Sequence, residues 1–158
     1  MTGLSASLRL LTSALAMSLG LAPAWTQSAP APVANAVSGP AQGPVLSLEL
    51  NAAQPSDKGC RLTFVVSNAL GADLSKAAFE IALFDEAGVV DRLTVLDFKD
   101  LPAGKTKVAR FDLAGAHCGK LSRVLINSAT ECAGTGVEPA ACMRALKTST
   151  RTAIAFGV

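Results

Sequence analysis

The chain has 158 residues, 14 of them basic and 12 acidic, and its aromatic content is only 4% with no tyrosine. A charge balance this even, without interleaved aromatic side chains, gives no footprint for nucleic acid or for an anionic membrane surface. Four cysteines, all beyond residue 59, place the chemistry of interest in the second part of the chain.

Residues 1–24 read as a secretory signal peptide. Arg9 supplies the positive n-region, Leu10 to Ala22 the apolar h-region, and Ala22-Pro23-Ala24 the small residues of a cleavage site before Trp25. The apolar run is about 13 residues, too short to span a bilayer, which takes about 20. No Arg-Arg pair precedes it and no cysteine stands directly after it, so neither a twin-arginine signal nor a lipoprotein anchor is expected. Residues 25–44 are rich in Ala, Pro, Ser and Gly. Such a segment buries too little apolar surface to offset its ordering entropy, so it reads as a disordered linker. Residues 45–158 remain as a single domain.

In that domain Val45 to Leu50 alternates, with Leu46, Leu48 and Leu50 on one face of a strand. Asn51 to Gly59 reads as a loop. Cys60 to Asn68 is the clearest strand: Leu62, Phe64 and Val66 point one way, Arg61, Thr63 and Ser67 the other, and Val65 breaks the pattern. A polar connection is expected over Asn68 to Ala77. Phe79, Ile81 and Leu83 define the inner face of the next strand. Asp85-Glu86-Ala87-Gly88 turns the chain, with Gly88 supplying the positive φ, and Val89 to Phe98 returns.

Leu101-Pro102-Ala103-Gly104 is a second turn before a strand over Thr106 to Leu113. There Ala109, Phe111 and Leu113 share a face but Val108 does not, which a bulge would resolve. Leu121 to Asn127 is a further strand. Ser128 to Thr148 reads as a long connection, with a short helix from Glu138 through about Leu146 and Pro139 in its first turn. Thr150 to Val158 closes the chain as a strand with Ile154 and Phe156 inward. The expected fold is all-β: a seven-stranded antiparallel sandwich of immunoglobulin or fibronectin type III kind, with a short helix in its last long connection.

Four cysteines allow three pairings. In an immunoglobulin-like sandwich the strand opened by Cys60 and the one preceded by Cys118 face each other and run the same way. Their starting ends then lie close, which favours Cys60–Cys118 and contributes about 4 kcal/mol in the chain-entropy model. Cys132 and Cys142 would staple the long connection. A redox role is disfavoured because no Cys-x-x-Cys is present. A metal site built on His117 and Cys118 lacks paired-ligand spacing, and no metal or other cofactor is expected.

No catalytic residue is assigned. His117, the only histidine, stands in the Gly115-Ala116-His117-Cys118-Gly119 loop without a nucleophile elbow elsewhere. Asp85, Glu86, Asp91, Asp97 and Asp100 gather at turns, where acidic side chains are ordinary turn formers. Lys99, Lys105, Lys107, Arg110, Lys120 and Arg123 read as solvated strand charges that discourage edge pairing.

The stretch Phe79-Glu80-Ile81-Ala82-Leu83-Phe84-Asp85, with Gly88-Val89-Val90, Leu101-Pro102-Ala103-Gly104 and Phe111, resembles the FxLYD-type extracytoplasmic β-sandwich domains. Phe84 stands where the family has Tyr, and four cysteines are not part of that pattern. The whole chain is also similar to a group of exported proteins of Gram-negative bacteria. The resemblance implies an immunoglobulin-like sandwich in the periplasm and carries over no catalytic residue.

The expected function is that of a non-catalytic periplasmic or secreted module binding another envelope protein or a small ligand. No membrane span is expected once the signal is removed. Residues Gly134, Thr135, Gly136, Val137 and Glu138, held between Cys132 and Cys142, form the candidate contact loop, since rigid scaffolds present function on loops. An alternative is an inhibitor of a secreted hydrolase acting through the same loop, and a third is an enzyme or redox protein using Cys132 and Cys142.

Overall fold

The computed structural model describes residues 43–158. The signal segment, and the linker up to residue 42, lie outside the described residues.

Two four-stranded sheets close on one core. The strands are β1 (Val45–Ser56), β2 (Gly59–Ala69), β3 (Leu74–Phe84), β4 (Val90–Leu101), β5 (Thr106–Ala114), β6 (Arg123–Ala133), β7 (Leu146–Thr150) and β8 (Ala155–Gly157). A 3-10 turn at Cys118–Lys120 precedes β6, and a single helical turn, α1 (Ala141–Arg144), precedes β7. One sheet has the order β5-β2-β1-β7 and the other β4-β3-β6-β8. The fold is all-β and sandwich-like, with eight strands rather than seven. Nor is it wholly antiparallel: β7 runs parallel to β1, and β8 parallel to β6.

Alternation builds this core as expected for half-buried strands. Leu46, Leu48 and Leu50 of β1, Leu62, Phe64 and Val66 of β2, and Phe79, Ile81 and Leu83 of β3 are all buried. Phe64 on one sheet meets Phe98 on the other edge-on at 5.7 Å, and Phe98 also meets Phe79 at 5.9 Å and Phe111 at 5.1 Å. Edge-to-face contacts of this kind add about 1 kcal/mol each beyond area burial, so the small aromatic complement is concentrated where the sheets join. Cys60 pairs with Cys118 and Cys132 with Cys142. The first bridge joins the start of β2 to the turn ahead of β6, on the opposite sheet.

Several elements differ from the sequence expectation, mostly because pairing extends a strand past its apolar pattern. Asn51 to Ser56 is strand, not loop: β1 continues after a bulge at Asn51 until Ser56 faces Gly59. Pro55 is tolerated because β7 pairs only with Leu46–Leu50, leaving that side of β1 free beyond. β3 begins at Leu74, which faces Leu101, so the connection shortens to residues 70–73. β6 continues through Ser128 to Ala133, which faces Lys76. The helix is only Ala141–Arg144, because Leu146 already faces Leu46. Arg151 to Ile154 is not strand. The Thr150 and Thr152 hydroxyls accept local backbone N–H groups and bend the chain from one sheet to the other. No bulge occurs in β5, whose register runs unbroken from Ala114 to Thr106; Val108 simply faces solvent.

Candidate functional site

At the end of the sandwich where β1 begins, an open groove of about 390 Å³ is lined by Pro44, Leu70, Ala72, Gly136, Val137, Glu138, Ala141, Arg144 and Ala145. Its three walls come from different parts of the chain. One is the β2–β3 connection, one the disulfide-held loop, and one the short helix.

Asn68 shapes the first wall. It is fully buried, the one buried polar side chain among the described residues. Its amide nitrogen donates to the Ala72 carbonyl at 2.9 Å and to the Leu101 carbonyl at 2.7 Å, and its oxygen accepts from the Leu70 N–H at 3.0 Å. Its backbone joins the adjacent turn, donating to Lys105 and accepting from Gly104. A buried amide whose bonding groups are all matched fixes one geometry, so Leu70 and Ala72 are presented in a defined position.

The second wall is the loop between Cys132 and Cys142. Gly134 lies so close to the Asp73 carbonyl that a Cβ there would collide with it. This contact ties the loop to the β2–β3 connection, and only glycine permits it. The Val137 N–H donates to the Gly134 carbonyl, and the Val137 side chain packs against the core. Within the five-residue contact loop read from the sequence, Gly134 and Val137 therefore anchor, while Thr135, Gly136 and Glu138 are exposed. The third wall follows from Cys142, which is buried and pulls α1 inward, leaving Ala141, Arg144 and Ala145 along the groove.

The groove is mainly apolar, with Glu138 and Arg144 as its charged side chains. Neither belongs to an ion pair among the described residues. A concave apolar surface with few polar groups is what a ligand or an apolar segment needs. Of its lining, only the loop residues were readable in advance. Pro44, Leu70 and Ala72 carry no chemical signal in the sequence and reach the groove through strand pairing. Arg144 could have been found as the residue one helical turn beyond Ala141.

The other candidates are dispersed. His117 is exposed ahead of the 3-10 turn. No group of three or more His, Cys, Asp or Glu among the described residues is placed to hold a metal ion. Asp85 turns its hairpin, its side chain accepting from the Val89 N–H at 2.8 Å. Asp112 is bound by Arg61 through two hydrogen bonds at 2.9 and 3.1 Å, which hold its carboxyl below the usual range. A bond from Lys99 lowers Asp97, and bonds from Asn51 and then Arg151 lower Glu49. These are exposed structural pairs away from the groove. No helix among the described residues is long and apolar enough to cross a membrane.

No family model matches the chain, and no curated protein matches it. Among solved structures, the Salmonella enterica trimeric lipoprotein SadB is similar over 44% of this chain at 20% identity and a TM-score of 0.39. The match spans 40% of that protein's chain, and so slight a likeness supports no statement about architecture or role.

Proposed function

We propose that the chain is an exported, non-catalytic binding module of the cell envelope that takes a partner protein or a small ligand in the groove beneath the Cys132–Cys142 loop. The observation that carries this reading is the construction of the groove. A disulfide, a glycine contact and a fully bonded buried Asn68 hold its walls, so ordering them costs little on binding. Two disulfides and no free cysteine among the described residues suit an oxidising compartment. The strand order β1-β2-β5 facing β4-β3-β6 supports reading those six strands as an immunoglobulin-like arrangement.

The test is site-specific photocrosslinking in intact cells, with the crosslinker at Gly136 or Arg144 and a control at Glu86, at the other end of the sandwich. The expected result is the same adduct from both groove positions and none from Glu86. A partner captured equally from Glu86 would overturn the groove as its site. Ligand-induced amide shifts at Leu70, Ala72 and Val137 would report a small molecule in the same place.

A further inference from the structure

The groove carries two charged side chains of opposite sign, Glu138 from the disulfide-held loop and Arg144 from α1. Both are exposed, and neither has an ion-pair partner among the described residues. Their spacing follows from the local backbone. The Ala141 N–H donates to the Glu138 carbonyl and the Arg144 N–H to the Ala140 carbonyl, and Ala140 has φ −81° and ψ −4°. Residues 138–144 are thus wound as successive turns. Helical rise then sets Glu138 and Arg144 about 9 Å apart along the segment, too far for a direct pair along it. The rest of the lining is apolar, from Leu70 and Val137 to the small residues Ala72, Ala141 and Ala145.

The loop also offers main chain. The Val137 N–H donates to the Gly134 carbonyl, and Gly136 has φ 72° while Thr135 has no positive φ. That is the φ pattern of a type II turn over Gly134–Val137. The peptide group at its centre, between Thr135 and Gly136, makes no backbone hydrogen bond among the described residues. A Cβ on Gly136 would meet nothing within 4 Å, so this peptide group borders open space at the groove wall.

We propose that the groove takes a short apolar peptide with both ends free, its carboxylate on Arg144 and its ammonium on Glu138. The proposal rests on the groove being the binding site and names the class of its ligand. Charge selects that class. A simple anion is repelled by Glu138 and a simple cation by Arg144. An apolar segment from the middle of a protein chain covers both charges and pairs neither, which costs their hydration. A molecule with opposite charges at the two ends of an apolar body pairs both. Spacing selects its length: an extended chain rises about 3.3 Å per residue, so a tripeptide spans about 10 Å. The Arg144 guanidinium is a fork suited to a carboxylate, and the Thr135–Gly136 peptide group is available to bond the ligand's main chain.

Titration of the tripeptide Ala-Val-Ala into the full, oxidised chain, followed by amide shifts, tests it. The expected result is saturable shifts at Leu70, Ala72 and Val137. Amidating the peptide's carboxylate or acetylating its amine should each weaken binding about tenfold, the worth of one hydrogen bond to a charged group. Arg144→Gln should lose the same factor for the free peptide and no longer distinguish it from the amidated form. Glu138→Gln should fail to distinguish only the acetylated form. Both side chains are exposed, and the blocked peptides make the same comparison on the unaltered protein. A doubly blocked peptide that binds as tightly as the free one would overturn the proposal and leave the groove as a site. No shift with millimolar Ala-Val-Ala would also overturn it, and the groove reading would then stand or fall on the crosslinks from Gly136 and Arg144.

Discussion

The two sides of the sandwich solve the same problem differently. On the β4–β5 side both sheets end in long strands, and the gap is bridged by Arg92 and Lys107 bonding to carbonyls across it. On the β7–β8 side the strands are short and the chain itself crosses between sheets through the bend at residues 151–154. A covalent staple, Cys132–Cys142, braces the connection into β7. The difference teaches where adaptability can reside. Exposed cations bonded to carbonyls stabilise weakly and leave an edge able to pair, whereas a short loop closed by a disulfide is held in one shape and can serve as a preformed wall.

The largest expected effect comes from removing that staple. Replacing Cys132 and Cys142 with Ser opens a loop of separation 10, which the chain-entropy model values at about 3 kcal/mol. Global unfolding should stay cooperative because Cys60–Cys118 remains. Hydrogen exchange should accelerate mainly over residues 134–145 and β7. Equal acceleration in β4 and β5 would mean that the two sides are one cooperative unit, and the contrast would fail.

Asn68→Ala should come next, at about 2 kcal/mol, because it strands buried carbonyls and an N–H that Asn68 now satisfies. Asn68 serves both the groove wall and the β4–β5 turn. The variant should therefore weaken groove binding as well as lower the denaturation midpoint. A midpoint shift with unchanged groove amide signals would separate the two roles.

The smallest effect is one of pH. Asp112 on β5 and Asp97 on β4 titrate below the usual carboxylate range because Arg61 and Lys99 bond to them. The unfolded chain therefore binds more protons than the folded one in that range. The stabilisation is complete above about pH 4 and is lost as the pH falls through the lowered folded values. Both aspartates lie on the β4–β5 side, while Glu49, bonded by Asn51 and Arg151, faces β7. Acid should thus reduce amide protection in β5 more than in β7, and Asp112→Asn should flatten the β5 response. Identical acid profiles for the two strands would remove the electrostatic part of the contrast.

How far the sequence could be read depended on whether a residue's role was local. The alternation of Leu46, Leu48 and Leu50, and of Leu62, Phe64 and Val66, identified strands and their buried faces, because burial on one face imposes a period of two. Gly88 and Gly104 marked their turns, and both have positive φ. The ends of β1 and β6 were not readable. Gln54, Pro55 and Thr130 to Ala133 have no apolar pattern and are strand only because a partner lies beside them. Val108 resembled a register defect because an exposed valine and a buried one look alike in a sequence.

The contact loop divides along the same line. That Cys132 and Cys142 enclose a short segment follows from composition and spacing. That Gly134 is jammed against Asp73, and that Leu70 and Ala72 complete the groove, follows from residues sixty or so positions apart being brought together. By itself the sequence determined the all-β class, the main buried faces, the tight turns and an oxidised pair of staples, since each rests on local periodicity or on residue chemistry. Only the tertiary structure decided the eighth strand, the two parallel pairings and the groove. Those depend on which strands lie side by side, and that choice is made by the packing of the whole core.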